Sequence, residues 1–226
     1  MKYAKLGKSD LTVSRICMGC MGFGDSSNGQ HGWTLDESAS REIIKYGLKN
    51  GINFYDTAIA YQNGTSEQFV GRALRDFGKR DDFVIATKFL PRSQEEIEKN
   101  VSGQKHIENS LNQSLKNLGL DYVDLYIYHM WDYHTPMEEI MEGLHEVVKA
   151  GKARYVGISN CFAWLLTKVT SPVVGATKRS HVDGAVKAVD LVLSEGEIDC
   201  LEELYVPHAL AGVMAQNGKQ MAGNVV

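Results

Sequence analysis

The sequence predicts an α/β domain built on a parallel sheet, and two observations carry that expectation. Short apolar runs alternate with longer amphipathic segments, and they do so six times along the chain. The 226 residues are 43% hydrophobic and 23% charged, a balance that suits one globular domain with a sizeable core. Each helix in such an alternation carries the chain back across the sheet, so successive strands run parallel.

The elements follow in order. Tyr3–Leu6 and Leu11–Val13 flank Gly7-Lys8-Ser9-Asp10 and read as a β-hairpin with a four-residue turn, outside any βα unit. The candidate strands are Ile16–Gly19, Asn53–Asp56, Val84–Lys88, Asp124–His129, Tyr155–Ser159 and Val173–Ala176. Helix starts are signalled by Thr34 with Glu37, by Thr135-Pro136-Met137-Glu138 with proline in the first helical position, and by Ser194 with Glu197. Ile107-Leu111-Leu115-Leu118 and Ile140-Leu144-Val147-Val148 recur at three or four residues and give each helix one face for the sheet. Gly212 to Val226 has no periodicity and is expected to be a disordered tail, leaving residues 1–211 as a single domain.

Charge and cysteine content exclude several classes of partner. A formal net charge of -4 offers no basic field for nucleic acid or anionic lipid, so a small-molecule ligand is expected. No apolar run reaches about 18 residues, and Met1 to Asp10 is too polar for a signal peptide, which predicts a cytoplasmic protein. Cys17, Cys20, Cys161 and Cys200 are too scattered for a disulfide framework. Cys17 and Cys20 fall in one apolar run, where residues three apart face opposite sides of a strand. They read as buried thiols, and no metal site is expected.

Reactive groups of a parallel α/β fold collect at the carboxyl ends of the strands. Asp56, Lys88 and His129 each close a candidate strand, and Tyr61 follows Asp56 on the loop. A tyrosine of ordinary pKa, about 10, is a poor proton donor at neutral pH unless a nearby cation stabilises the phenolate. Lys88 can supply that charge, Asp56 can hold Lys88, and His129 is left to hydrogen-bond a substrate oxygen. Phe23, Trp33, Trp131 and Tyr133 are candidates to line an apolar pocket, whereas Arg72, Arg75 and Lys79 read as a solvated face. At the other end, Gly175-Ala176-Thr177-Lys178-Arg179 runs from a strand into a helix start, where backbone N–H groups and a cation suit a phosphate.

Asp56-Thr57-Ala58-Ile59-Ala60-Tyr61, Ala86-Thr87-Lys88, Tyr128-His129 and Gly157-Ile158-Ser159-Asn160 resemble, in order, the motifs of the aldo-keto reductase family. The resemblance spans roughly residues 1–210. It implies a TIM-type (β/α) barrel and hydride transfer from NADPH to an aldehyde or ketone. Tyr61 is then the general acid, Lys88 and Asp56 tune it, and His129 orients the carbonyl. It also implies that Ser159 and Asn160 bind the nicotinamide amide, with Asp56 at the same end. Gly175, Ala176, Thr177, Lys178 and His181 match the grip on the 2′-phosphate, and Ala185 stands where many members carry an asparagine for the adenine.

The family barrel has eight strands and this sequence offers six. Only Cys161 to Ser171 separate Ser159-Asn160 from the last strand, where relatives carry two further βα units. The absent stretch holds the family's nicotinamide-binding glutamine, its ring-stacking aromatic residue and its pyrophosphate loop. Strand number and shear are linked, so six strands cannot reuse an eight-stranded closure. Either the fifth and last strands meet in a smaller barrel, or the sheet stays open, with apolar surface that a second copy can cover. An NADPH-dependent carbonyl reductase of impaired activity is therefore expected. The alternatives are a catalytically silent cofactor-binding or regulatory barrel, a phosphate-barrel lyase, and a non-functional deletion product. The Tyr61 and Lys88 pair speaks against the lyase.

Overall fold

The computed structural model describes residues 1–130, 135–159, 173–175 and 177–188. The elements are β1 (Tyr3–Lys5), β2 (Thr12–Ser14), β3 (Cys17–Gly19), α1 (Glu37–Lys49), β4 (Phe54–Asp56), α2 (Thr65–Phe77), β5 (Val84–Phe89), α3 (Gln94–Glu98), α4 (Gly103–Leu118), β6 (Val123–Tyr128), α5 (Met137–Lys149), β7 (Ala153–Ile158), β8 (Val173–Gly175) and α6 (Arg179–Ala188). The expected tail, the Ser194 helix start, and Trp131, Tyr133, Asn160, Cys161, Ala176 and Cys200 lie outside the described residues. No described helix is long and apolar enough to cross a membrane.

All six expected strands form, and they pair in parallel in the order β7-β6-β5-β4-β3-β8. The last strand lies beside the first of the series, as in a sheet that wraps toward a barrel. Among the described residues no pairing joins β7 to β8, so the sheet is an arc with these two strands at its ends. Val156 and Ile158 of β7 are each 41% exposed.

The two-residue period of the strands divides the core in two. Cys17, Phe54, Val84 and Ala86 face one side and pack with Leu11 and Val13 of the β1–β2 hairpin, joined by Leu125, Ile127 and Tyr155. Met18, Tyr55, Ile85 and Tyr126 face the other side, against Ile43, Ile44, Val70, Leu74, Ile107, Leu111 and Leu144 of the helices. Cys17 and Cys20 are free, buried and in different clusters, as their spacing requires. The hairpin turn closes by the Leu6 amide donating to Leu11 O at 2.9 Å, with Gly7 at φ 59. Helices α2 and α4 approach so closely that a β-carbon on Gly71 would lie 2.1 Å from Leu118 O.

Three expectations about helices need correction. Helix α1 is capped by Asp36, whose carboxylate accepts from the Ala39 amide, because Thr34 donates instead to Gly24 O and His31 O. Pro136 is the residue before α5, with extended ψ of 139°, and Thr135 accepts from Arg92 Nε rather than capping. Val148 is exposed, so the buried face of α5 is Ile140, Leu144 and Val147. Helix α3 was not expected. Its Ser93 and Glu96 form a reciprocal capping box.

Candidate active site

Strands β4 and β5 bring two charged groups together. Asp56 is in register with Ala86, and Lys88 stands two residues further along β5 on the same face. Lys88 Nζ donates to Asp56 Oδ2 at 2.6 Å, to Thr57 O at 2.8 Å and to Tyr61 OH at 3.2 Å. These are three acceptors for the three protons of an ammonium, and both Lys88 and Asp56 are buried.

Tyr61 reaches this cluster because its loop is laced to β5. The Thr57 amide donates to Ala86 O at 2.9 Å, Ile59 to Lys88 O at 3.1 Å, and Tyr61 to Ala58 O at 3.0 Å. Thr57 Oγ1 also meets Ser66 Oγ at 3.0 Å, and Ser66 Oγ donates to Cys20 O at 2.8 Å. A 3₁₀ turn over Tyr61–Gly64 then leads into α2. His129 follows β6, its amide donating to Phe89 O at 2.9 Å, and its ring stands edge-on to that of Tyr61, centroids 5.8 Å apart at 77°. Ser159 is fixed at the end of β7 by its amide donating to Tyr128 O at 2.8 Å.

Burial would lower the Lys88 ammonium, but Asp56 and Tyr61 more than offset it and raise the lysine above its ordinary value. Lys88 is therefore a cation throughout the neutral range. Burial also raises the Tyr61 phenol, against the pull of Lys88. Lys88 does pull this group down, but desolvation outweighs the cation, and the phenol keeps its proton. Burial and then Lys88 hold His129 down at about 4, so its imidazole is neutral at pH 7.

The second predicted group lies at the other end of the arc. Gly175 is in register with Gly19, which brings the turn after β8 to the same sheet edge as the loop after β3. A β-carbon on Gly22 would lie 3.0 Å from Thr177 Cγ2 and 3.6 Å from the Trp33 ring. The Thr177 amide donates to His181 Nδ1 at 3.3 Å, and the His181 amide to Lys178 O at 3.1 Å. Helix α6 docks through buried Val182 and through Tyr46 OH donating to Asp183 Oδ1 at 2.8 Å. Arg179 is engaged elsewhere, 2.9 Å from Glu42 Oε2 and over the Tyr46 ring. Lys178 is exposed and forms no ion pair with the described residues, which leaves its charge accessible to an anionic ligand.

The structure thus joins Asp56, Tyr61 and Lys88 by hydrogen bonds and sets His129 against Tyr61. It places Gly175, Thr177, Lys178 and His181 in a separate turn. Phe23 is fully buried in the helix-side core, which removes it from the pocket candidates, while Trp33 is 55% exposed. Arg72 is not merely solvated but pairs with Glu37 at 2.6 Å and 2.9 Å. Two residues that sequence reading passed over belong to the site's frame. Thr57 supplies a carbonyl to Lys88, and Gln62 is buried beside Tyr61. The Asn63-Gly64 pair signals a turn after Tyr61, but nothing local marks Gln62 as buried.

Residues 15–163 match the model of the aldo/keto reductase family. The chain is 38% identical over 182 residues to the versiconal hemiacetal acetate reductase of Aspergillus parasiticus, covering 73% of this chain and 52% of that protein. It is 36% identical over 170 residues to the aryl-alcohol dehydrogenase (NADP(+)) of Phanerodontia chrysosporium, covering 71% and 44%. Its backbone is similar to an aldo-keto reductase of Bacillus halodurans in its holo form, with a TM-score of 0.60, 35% identity and coverage of 77% of this chain and 56% of that one. The chain spans about half the length of the curated relatives it matches. The parallel arc with alternating helices fits part of the α/β barrel of these structural neighbours.

Proposed function

Because the chain belongs to the aldo-keto reductase family, we propose that it reduces aldehyde or ketone carbonyls with NADPH and that Tyr61 delivers the proton. The observation that carries this reading is the buried Lys88 ammonium shared between Asp56 at 2.6 Å and Tyr61 OH at 3.2 Å. Tyr61 donates its proton to the carbonyl oxygen as that oxygen gains negative charge, and the Lys88 cation stabilises the phenolate left behind. Asp56 keeps Lys88 charged and in place. Neutral His129 orients the carbonyl by donating one hydrogen bond. NADPH supplies the hydride when bound. Ser159 and Asn160 hold its nicotinamide amide with Asp56 near by. Lys178 holds the 2′-phosphate together with Gly175, Thr177 and His181, and the sequence match adds Ala176 to this group.

The name of one relative, an aryl-alcohol dehydrogenase, favours an aromatic carbonyl. The exposed Trp33 ring, tilted at 31° against His31 at a centroid distance of 5.1 Å, suits the same substrate class.

The test is a titration with NADPH followed by protein fluorescence, paired with the loss of NADPH absorbance on adding an aromatic aldehyde. Saturable binding with aldehyde-dependent oxidation is the expected result. Binding without turnover would favour a catalytically silent protein, and absence of both would sink the proposal.

A further inference from the structure

Tyr61 is followed by two residues in the left-handed backbone region, Gln62 (φ 48, ψ 47) and Asn63 (φ 49, ψ 42), and neither is glycine. That conformation is costly for a residue with a β-carbon and persists only where the surroundings hold it. Gln62 is 1% exposed. Its amide makes three hydrogen bonds, all to the backbone of one loop: Nε2 donates to Asp25 O at 2.8 Å and to His31 O at 3.0 Å, and Oε1 accepts from the His31 amide at 2.9 Å.

The loop is shaped for this side chain. Gly24 and Gly29 have φ of 137° and 143°, and a β-carbon on either would lie 2.7 Å from Gln62. Two flanking bonds reinforce the seam. Asn63 Nδ2 donates to Asn28 Oδ1 at 2.9 Å, and the Asp25 amide donates to Thr65 Oγ1 at 2.9 Å. Two residues past His31, the last partner in the clamp, the loop carries Trp33, whose ring lies beside Gly22 on the carboxyl edge.

We infer that Gln62 is a positioning residue that clamps the 24–33 loop to the turn bearing Tyr61, so that the general acid and the aromatic wall formed by Trp33 stay in register. This rests on the reading of Tyr61 as the acid. Gln62 itself touches no reacting atom. It acts through the loop, and its effect falls on substrates large enough to reach Trp33.

Two variants separate the amide from the backbone. Gln62→Gly deletes the amide and accepts φ 48 without penalty, while Gln62→Ala deletes the amide and keeps the penalty. In both, hydrogen exchange of the 24–33 amides, read by mass spectrometry, should accelerate roughly tenfold or more. In both, KM for an aromatic aldehyde should rise about fivefold or more, with kcat and the KM for a small aliphatic aldehyde little changed. Unchanged exchange in Gln62→Gly would overturn the clamp. Faster exchange with the two KM values unmoved, or raised alike, would overturn the positioning role. Wild-type protein that reduces neither aldehyde would refute the proposed function and the positioning role with it, while the exchange rates still decide the clamp.

Discussion

Lys88 and Lys178 stand at the two ends of one functional edge and are held in opposite ways. Lys88 is buried, with its three protons assigned to Asp56, Thr57 O and Tyr61 OH. Lys178 is exposed at the head of α6 and has no ion-pair partner among the described residues. Desolvating a charge costs several kcal/mol unless pairing and hydrogen bonds repay it, so the fold itself must complete the Lys88 cluster. Lys178 is exposed and needs no such support. On the proposed function the proton-transfer end is built by the fold, and the phosphate end is completed by binding. Changes at the first should appear in turnover and changes at the second in affinity.

The largest effect should come from Tyr61→Phe. The variant removes the proton donor and leaves Asp56 and Lys88 paired with each other, so turnover should fall by roughly 10²–10⁴-fold. NADPH affinity should stay nearly constant. Rates from NADPH absorbance and affinities from fluorescence separate the two, and near-normal reduction by the variant would remove Tyr61 from its role.

Lys178→Ala tests the other end. NADPH binding should weaken about tenfold or more, in line with one charge-assisted hydrogen bond, and NADH binding should change little. Because Lys178 is exposed, the NADPH affinity of the wild type should also fall with added salt, over a Debye length of about 8–10 Å near physiological strength. Equal losses for both coenzymes would show that the turn does not read the phosphate.

The contrast between the two ends also governs how much the sequence disclosed. Asp56, Lys88 and His129 were legible because each is a polar residue closing an apolar run, and strand ends are where the fold gathers such groups. Strands β3, β4 and β5 could be placed for a related reason, since burial on both faces leaves continuous apolar runs. Helix starts were less legible. Thr34 and Asp36 are both good caps two residues apart, and the choice was made by Gly24 O and His31 O, which captured the Thr34 hydroxyl. Thr135 was likewise drawn to Arg92, a partner 43 residues away. Gln62 is the clearest omission. Its backbone conformation and its burial are set by a loop from a different βα unit, and no residue adjacent to it in the chain signals either. The rise of Tyr61 was missed because the sequence shows the cation beside it but not how deeply the ring is buried.

The smallest effect should be the pH dependence that His129 imposes, and it follows from the same buried cation. Burial first, and then Lys88, hold the imidazole at about 4 in the folded protein, below its ordinary value of 6.5. Above about pH 6.5 the ring is neutral in both folded and unfolded chains and contributes no slope. As pH falls below that value the unfolded chain takes the proton first, so stability declines from about pH 6.5 to about pH 4 and levels off below. Allowing for the partial exposure of the ring, the loss is about 1–2 kcal/mol. His129→Asn, which cannot titrate in this window, should lose less stability on acidification. The comparison is made by urea unfolding at several pH values, taking the difference between wild type and variant. That difference cancels buried carboxyls such as Glu67, which burial raises and whose contribution therefore has the opposite sign. Parallel stability curves for the two proteins would mean that His129 is protonated as readily in the fold as outside it. The Lys88 charge would then not reach it, and the acid end would be less enclosed than its hydrogen bonds imply.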